Sequence, residues 1–366
     1  MNAPAIFRDD AHINWHRTKV DPVAMRALIK RSDWQGLRQT LGHLGLFTLT
    51  GTLAFLAFSQ IRTSNWYWSV PLLLLALFAH GTVGNFTGGT ACHELSHKTP
   101  FKSPRLNALF LHIFAFLSYW DHIWFEPSHI KHHEVTVHRD YDGEVVLPAK
   151  FTFQDWKFWL GLFAWNPQNT WTIYKNWFQK ARGLLPDDWS RHVMPASNVA
   201  LQRQHRRWAR FLLLAHLALA VSFIATGNWI LVFIVNLGSH YCAWLGYLTG
   251  TPQHYGMSYN VPDHRLCCRT YTSRGLPAFL YWNMQYHIEH HMFPLVPFFN
   301  LPKLHELVKH DMPPAPHGLR ETWKQMLEIH RRTKTEPDFC YAPPLPSVPG
   351  EFTDNKQLRR EAGSTV

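Results

Sequence analysis

The chain has 366 residues, of which 46 % are hydrophobic and only 17 % charged, below the roughly 25 % charge of an average soluble domain. Its net charge of +11 comes without a zinc-finger spacing or an RNA-binding signature, which argues against nucleic acid as a partner. Basic residues facing anionic headgroups account for that charge, and 17 Trp with 25 Phe suit a membrane interface.

Residues 1–40 hold Asp9, Asp10 and several basic residues but no apolar core, so they read as a cytoplasmic segment and not as a secretory signal. Four stretches are then apolar enough to cross about 30 Å of hydrocarbon: Leu41–Ile61, Trp66–Phe86, Trp208–Thr226 and Trp229–Thr249. The connectors inside each pair, Arg62–Asn65 and Gly227–Asn228, are short enough to predict two helical hairpins. Lys98, Lys102, Arg105, Arg203, Arg206, Arg207 and Arg210 flank the hairpins, whereas the turns contribute only Arg62. The positive-inside rule therefore places both termini and the long middle segment in the cytoplasm.

Between the hairpins, Leu106–Trp120 is apolar but short, and it contains Asn107 and His112. It is expected to be an interfacial or re-entrant helix, as is the Phe- and Trp-rich Phe151–Trp165. After Pro294 the chain is Pro-rich with helical stretches at Leu301–Lys309 and Leu319–Arg332, and the tail from Asp354 reads as charged and frayed. The domain expectation is 1–40, a single membrane domain at 41–310, and a cytoplasmic C-terminal segment at 311–366.

The five Cys form no regular framework, and Cys267-Cys268 reads as packing. The 25 His, as many as all acidic residues together, need a chemical reason. Eight fall in three clusters: His93 and His97 in HxxxH, then His129, His132 and His133, and His287, His290 and His291, both in HxxHH. Residues at i, i+3 and i+4 share one helix face, so each cluster can converge its imidazoles. Eight nitrogen ligands exceed the needs of one ordinary ion but suit two with open positions. Imidazole alone does not choose between Zn, Cu, Fe and Ni. Two returning hairpins put all three clusters on one side of the membrane. Isolated histidines such as His43, His80, His112, His216 and His310 read as packing or interface residues.

These boxes, and especially the run YWNMQYHIEHHMFPLVPFFNLPKLH at Tyr281–His305, resemble the membrane fatty-acid desaturase family, which also includes alkane hydroxylases and carotenoid ketolases. The resemblance covers residues 40–310. It implies an all-α integral membrane protein with four transmembrane helices and a cytoplasmic helical cap holding a histidine-rich dimetal site. It further implies two Fe ions bound by His93, His97, His129, His132, His133, His287, His290 and His291. A ninth ligand is expected from His254, in a Gln-His-Tyr-Gly run similar to one in such enzymes, or from His240, which resembles an Asn-xxx-His pattern of acyl-CoA desaturases. Of the two, His254 is favoured. The first box has three intervening residues where the acyl-CoA type has four, and a His-Pro-Gly-Gly signature of fused cytochrome b5 is absent from the sequence.

The resemblance thus implies an O₂-dependent di-iron oxidoreductase acting on a fatty acyl chain or free fatty acid. Electrons would come from a separate donor such as ferredoxin or cytochrome b5. Desaturation is the expected outcome, with hydroxylation or oxidative decarboxylation to a terminal alkene as alternatives at the same site. Asp121, Glu126, Glu134, Asp140 and Asp142 are candidate partners for the imidazole N–H groups. A different class also fits one motif: His93-Glu94-x-x-His97 matches the zinc metalloprotease signature, with Glu94 as general base. A histidine-rich metal transporter is a third reading, with His43, His216 and His240 as its intramembrane polar groups.

Overall fold

The computed structural model describes residues 7–147, 153 and 155–346. The expected frayed tail from Asp354 lies outside them. Among the described residues the chain is helical, with isolated β-bridges but no strand. Three helices among the described residues are long and apolar enough to cross a membrane: Asp33–Ser59, Trp66–Ser96 and Val199–Ala225. All three extend past the apolar stretches read from the sequence. Ser32 caps the first, its hydroxyl accepting from the Gln35 N–H at 3.3 Å, and Asn198 caps the third through the Leu201 N–H at 3.1 Å. The third helix therefore begins ahead of Trp208, and its first turns carry Arg203, Arg206 and Arg207. Outward-facing Leu49, Leu53, Leu56, Leu74, Leu214 and Leu217 are each more than half exposed, an apolar girdle suited to lipid.

Pro104–Ser118 has 15 residues, about 22 Å of helix at 1.5 Å per residue, too short to span. It starts on a Ser103 cap with Pro104 in its first turn and ends at left-handed Tyr119, φ 52°. The surface helix expected at 151–165 is observed as Trp156–Phe163, and those near the C-terminus as Leu301–Val308 and Gly318–Thr335. A further helix, Pro167–Ala181, was not anticipated, although Asn166 caps it and Pro167 opens it.

The fourth stretch, 229–249, departs from the expectation of one continuous helix. It forms a π-helical turn at Val232–Asn236, an irregular passage with Cys242 at φ 55°, and a short helix Trp244–Gly250. Contact between backbones is the physical reason. A Cβ on Gly84 would lie 2.1 Å from the Gly238 carbonyl oxygen, so the segment presses directly onto the second helix. Freed backbone groups find partners there, as irregular backbone inside a membrane protein requires. The His80 ring donates to the Ile234 carbonyl at 2.9 Å, and the Cys242 N–H donates to Ala164 at 2.9 Å. Gly84→Ala is expected to destabilise the protein by about 1–3 kcal/mol or more, the cost of overpacking. This would appear as a lower thermal midpoint in detergent, and an unchanged midpoint would refute the close contact.

The isolated histidines tie these helices together. His43 donates to the Val83 carbonyl at 3.2 Å and accepts from the Trp282 indole at 3.2 Å. His216 donates to Phe116 at 3.0 Å and accepts from the Asn236 amide at 3.1 Å. Neither has a ring nitrogen left for an ion.

Candidate metal centre

The first box is placed by a change of helical pitch. After Asn85 the second helix widens into a π-helical turn, Thr87–Cys92, in which the Ala91 N–H reaches the Phe86 carbonyl at 3.1 Å. Gly88 permits it, because a Cβ there would fall 3.1 Å from the Trp120 ring. Such turns cluster at functional sites because they re-aim the side chains that follow. Here they are His93 and, capping the one-turn helix His93–Ser96, His97. The second box lies on His122–Val135, which Asp121 caps through the Trp124 N–H at 3.2 Å. The third box lies on His287–Met292, and His254 follows a 3₁₀ turn at Thr251–Gln253.

The boxes converge, but each of the last two is shared between two adjacent groups. His93, His97, His129, His133 and His290 present ring nitrogens that all lie within 4.8 Å of one another. His132, His254 and His291 form a second such group. His287 belongs beside it, with Nε2 at 3.0 Å from His254 Nε2 and 3.1 Å from His291 Nε2. The rings of His133 and His291 stack at 4.3 Å where the groups meet. His254 therefore joins the cluster. His240 does not, for its neighbours are the rings of Tyr119 and Tyr174.

Partners behind the rings orient them. His129 Nδ1 faces Glu144 at 2.7 Å, His132 Nδ1 faces Asp142 at 2.7 Å, and His254 Nδ1 donates to the Cys267 carbonyl at 2.9 Å. His291 Nδ1 meets the Thr136 hydroxyl at 3.1 Å, and that hydroxyl is itself held by the His132 carbonyl at 2.8 Å. An N–H committed at Nδ1 leaves the Nε2 lone pair facing inward, the arrangement that metal-binding histidines use. Asp142 was among the carboxylates expected behind the rings and Glu144 was not; its position two residues after Asp142 was the available signal. Asp121 instead pairs with Lys180 and His205, Glu126 with Lys98, and Glu134 with Lys131. Asp142→Asn is expected to lower metal affinity about 10–100-fold, measured as metal retained against a chelator series. Glu126→Gln serves as the surface control that should not.

The electrostatics suit cations. Burial, reinforced by the neighbouring histidines, pushes His129, His133, His287, His290 and His291 well below the ordinary imidazole value. Their rings are thus neutral, the form that binds a metal. Burial also opposes charge on His132, but Asp142 and Glu144 outweigh it and raise its pKa. The donor set fits two metal ions on a further observation. His133 Nε2 and His129 Nε2 lie 3.0 Å apart, within reach of one N–H bridging the two rings or of a single cation held by both. His97 Nε2 and both nitrogens of His290 are buried without a hydrogen-bond partner.

Glu94 is buried, and its carboxylate contacts His93 Nδ1 at 3.2 Å. It stands behind the His93 ring, where an orienting partner would sit. A separate cluster, His264, Cys267 and Cys268, adjoins the second group. Both thiols are fully buried, and burial lifts Cys268 well above the usual thiol range. Among the described residues, two cavities reach the histidines. A cleft of about 910 Å³ is lined by His97, His133 and His291 beside Arg17, Lys98 and Lys131. On another side a cavity of about 190 Å³ is lined by His93 and by residues of the second helix, Trp244–Gly250 and the approach to the third box.

Comparison with known proteins agrees with this geometry. A family model described as fatty acid desaturase matches residues 64–323. The chain is 26 % identical over 290 residues to "Sphingolipid delta(4)-desaturase DES1-like" of Oryza sativa subsp. japonica, covering 76 % of this chain and 75 % of that protein. It is 25 % identical over 271 residues to a sphingolipid delta(4)-desaturase of Komagataella phaffii, covering 68 % and 66 %. A third such protein, from Candida albicans, is 24 % identical over 269 residues, covering 66 % and 64 %.

Proposed function

Because the chain belongs to the fatty acid desaturase family, we propose that it is a membrane-embedded di-iron enzyme that uses O₂ to desaturate a lipid alkyl chain. The observation that carries this reading is the pair of adjacent, buried histidine groups. In it, His93, His97, His129, His133 and His290 hold one ion, and His132, His254, His287 and His291 hold the other. The broken segment 229–249 serves as a fourth crossing, and the basic flanks keep both termini and the metal site cytoplasmic. Residues 41–310 then form the membrane domain, between cytoplasmic segments 1–40 and 311–366.

Bound iron would supply the O₂ activation and hydrogen abstraction that no side chain can perform on an unactivated methylene. The chain's own residues do the rest. Asp142, Glu144 and the Cys267 carbonyl hold Nδ1 protons outward so that Nε2 lone pairs face the metals. Phe125 stacks on His129 at 4.7 Å and fixes its plane while excluding water. Removing two hydrogens supplies two electrons and two protons, whereas reducing O₂ to two waters takes four of each. A separate donor must deliver the other two electrons and solvent the other two protons, and the cleft lined by His97, His133 and His291 is the side open to them.

Incubating the iron-loaded protein with long-chain lipids, O₂ and a reductant, followed by mass spectrometry, tests the reading. Loss of two hydrogens with a new double bond supports it. Gain of one oxygen would reassign the enzyme to hydroxylation, and loss of carbon dioxide to decarboxylation. The names of the relatives favour the first outcome.

A further inference from the structure

Between His254 and the third box lies a cluster that the proposed reaction does not use. Asp263 caps the one-turn helix His264–Cys267 by accepting from the Arg265 N–H at 2.9 Å. His264, Cys267 and Cys268 follow at i, i+3 and i+4, the register of the two HxxHH boxes with thiols replacing the last two imidazoles. That register puts the three on one helix face, and their ligating atoms lie within 4.8 Å of one another. None of the three is more than 2 % exposed. The sulfurs are 3.9 Å apart. Two sulfurs each about 2.3 Å from one tetrahedral zinc stand about 3.8 Å apart. His264 Nδ1 is buried without a hydrogen-bond partner, a cost that a bound ion removes. Trp15 stacks on the same ring at 4.0 Å and 10°, which fixes its plane. His264 also lines the cleft of about 910 Å³, which gives an ion a way in.

We propose that His264, Cys267 and Cys268 form a third metal site, separate from the two histidine groups, that takes a thiophilic ion such as zinc. Soft thiolates select such an ion, and the all-imidazole groups beside it offer none. Two sulfurs and one nitrogen, with a fourth position open, are a set that zinc accepts. Binding releases both thiol protons to solvent. Two thiolates then offset the charge of a divalent ion, so the buried site stays neutral. The Cys267 carbonyl accepts from His254 Nδ1 at 2.9 Å, and the His264 ring touches that of His291 at 5.4 Å. An ion here therefore pins the segment against which two histidines of the second group are held. The site stands on these residues and does not depend on the desaturase reading.

Zinc is the probe. It is added to the iron-loaded, detergent-purified protein, loosely held ions are removed, and zinc and iron are counted separately. X-ray absorption at the zinc edge then reads the neighbours of the ion. The wild type is expected to keep about one zinc per chain, with two sulfurs at about 2.3 Å and nitrogen completing the shell. The double variant Cys267→Ser, Cys268→Ser should lose the zinc to background and keep the iron content of the wild type. Among the described residues no other two thiols are in contact, so the two-sulfur shell of the wild type identifies the site even where the double variant does not fold. Zinc with nitrogen and oxygen neighbours only, or zinc retained by the folded double variant, overturns the proposal. Two irons without zinc would overturn it and leave the desaturase reading intact. Sulfur-bound zinc without iron would uphold the site and sink that reading instead.

Discussion

His129→Ala and His132→Ala are each expected to remove about one metal ion from the protein and to reduce lipid oxidation to background. The two variants strike different ions, although their residues are three apart in one box. His129 sits with His93, His97, His133 and His290, whereas His132 faces His254 and His291. A centre in which each box served its own ion predicts instead that both variants lose the same ion. Elemental analysis combined with the double variant separates the two cases. Loss of both ions in the double variant, with one retained in either single variant, is the expected pattern. Retention of two ions in both single variants would contradict the ligand assignment.

Metal removal should make the protein acid-labile, and the sign follows from the buried rings. His129, His133, His287, His290 and His291 all have folded values pushed well below the ordinary one by burial and by one another. Below about pH 6.5 the unfolded chain therefore takes up protons that the folded chain refuses. Each such ring costs up to about 1.4 kcal/mol per pH unit. His132 works the other way. Its raised value gives stability that is fully present below the unfolded value and is lost as pH rises through the folded one. With His93, His97 and His254 also held low by burial, eight rings of the site against one leave a net loss on acidification. Thermal midpoints of the chelated protein should fall steeply from pH 7 to pH 5. Those of the metal-loaded protein should hold until the metal leaves, since bound metal stabilises the native state. Parallel curves for the two forms would contradict a histidine-lined metal centre.

The parts of this site that could be read from the sequence are those encoded by local spacing. Three boxes at i, i+3 and i+4 announce convergent imidazoles, and His254 stood out in its Gln-His-Tyr-Gly setting. Hydropathy made the three long apolar helices visible in the same way. What escaped depends on contacts between distant segments. The split of His132 from His129 and His133 follows from how His122–Val135 lies between the first and third boxes, which spacing cannot express. The break within 229–249 follows from Gly84 meeting Gly238, and hydropathy averages over such a contact. Glu144 became a ring partner through the turn after His122–Val135, where Asp142 also accepts the Val137 N–H at 2.8 Å.

The most direct test of the central claim is the metal itself, measured by elemental analysis and Mössbauer spectroscopy on detergent-purified protein from iron-57-grown cells. The proposed function predicts about two irons per chain, magnetically coupled and in histidine-rich environments. A single zinc with negligible iron, after expression with iron supplied, would contradict the di-iron reading and return Glu94 to consideration as the general base of a protease.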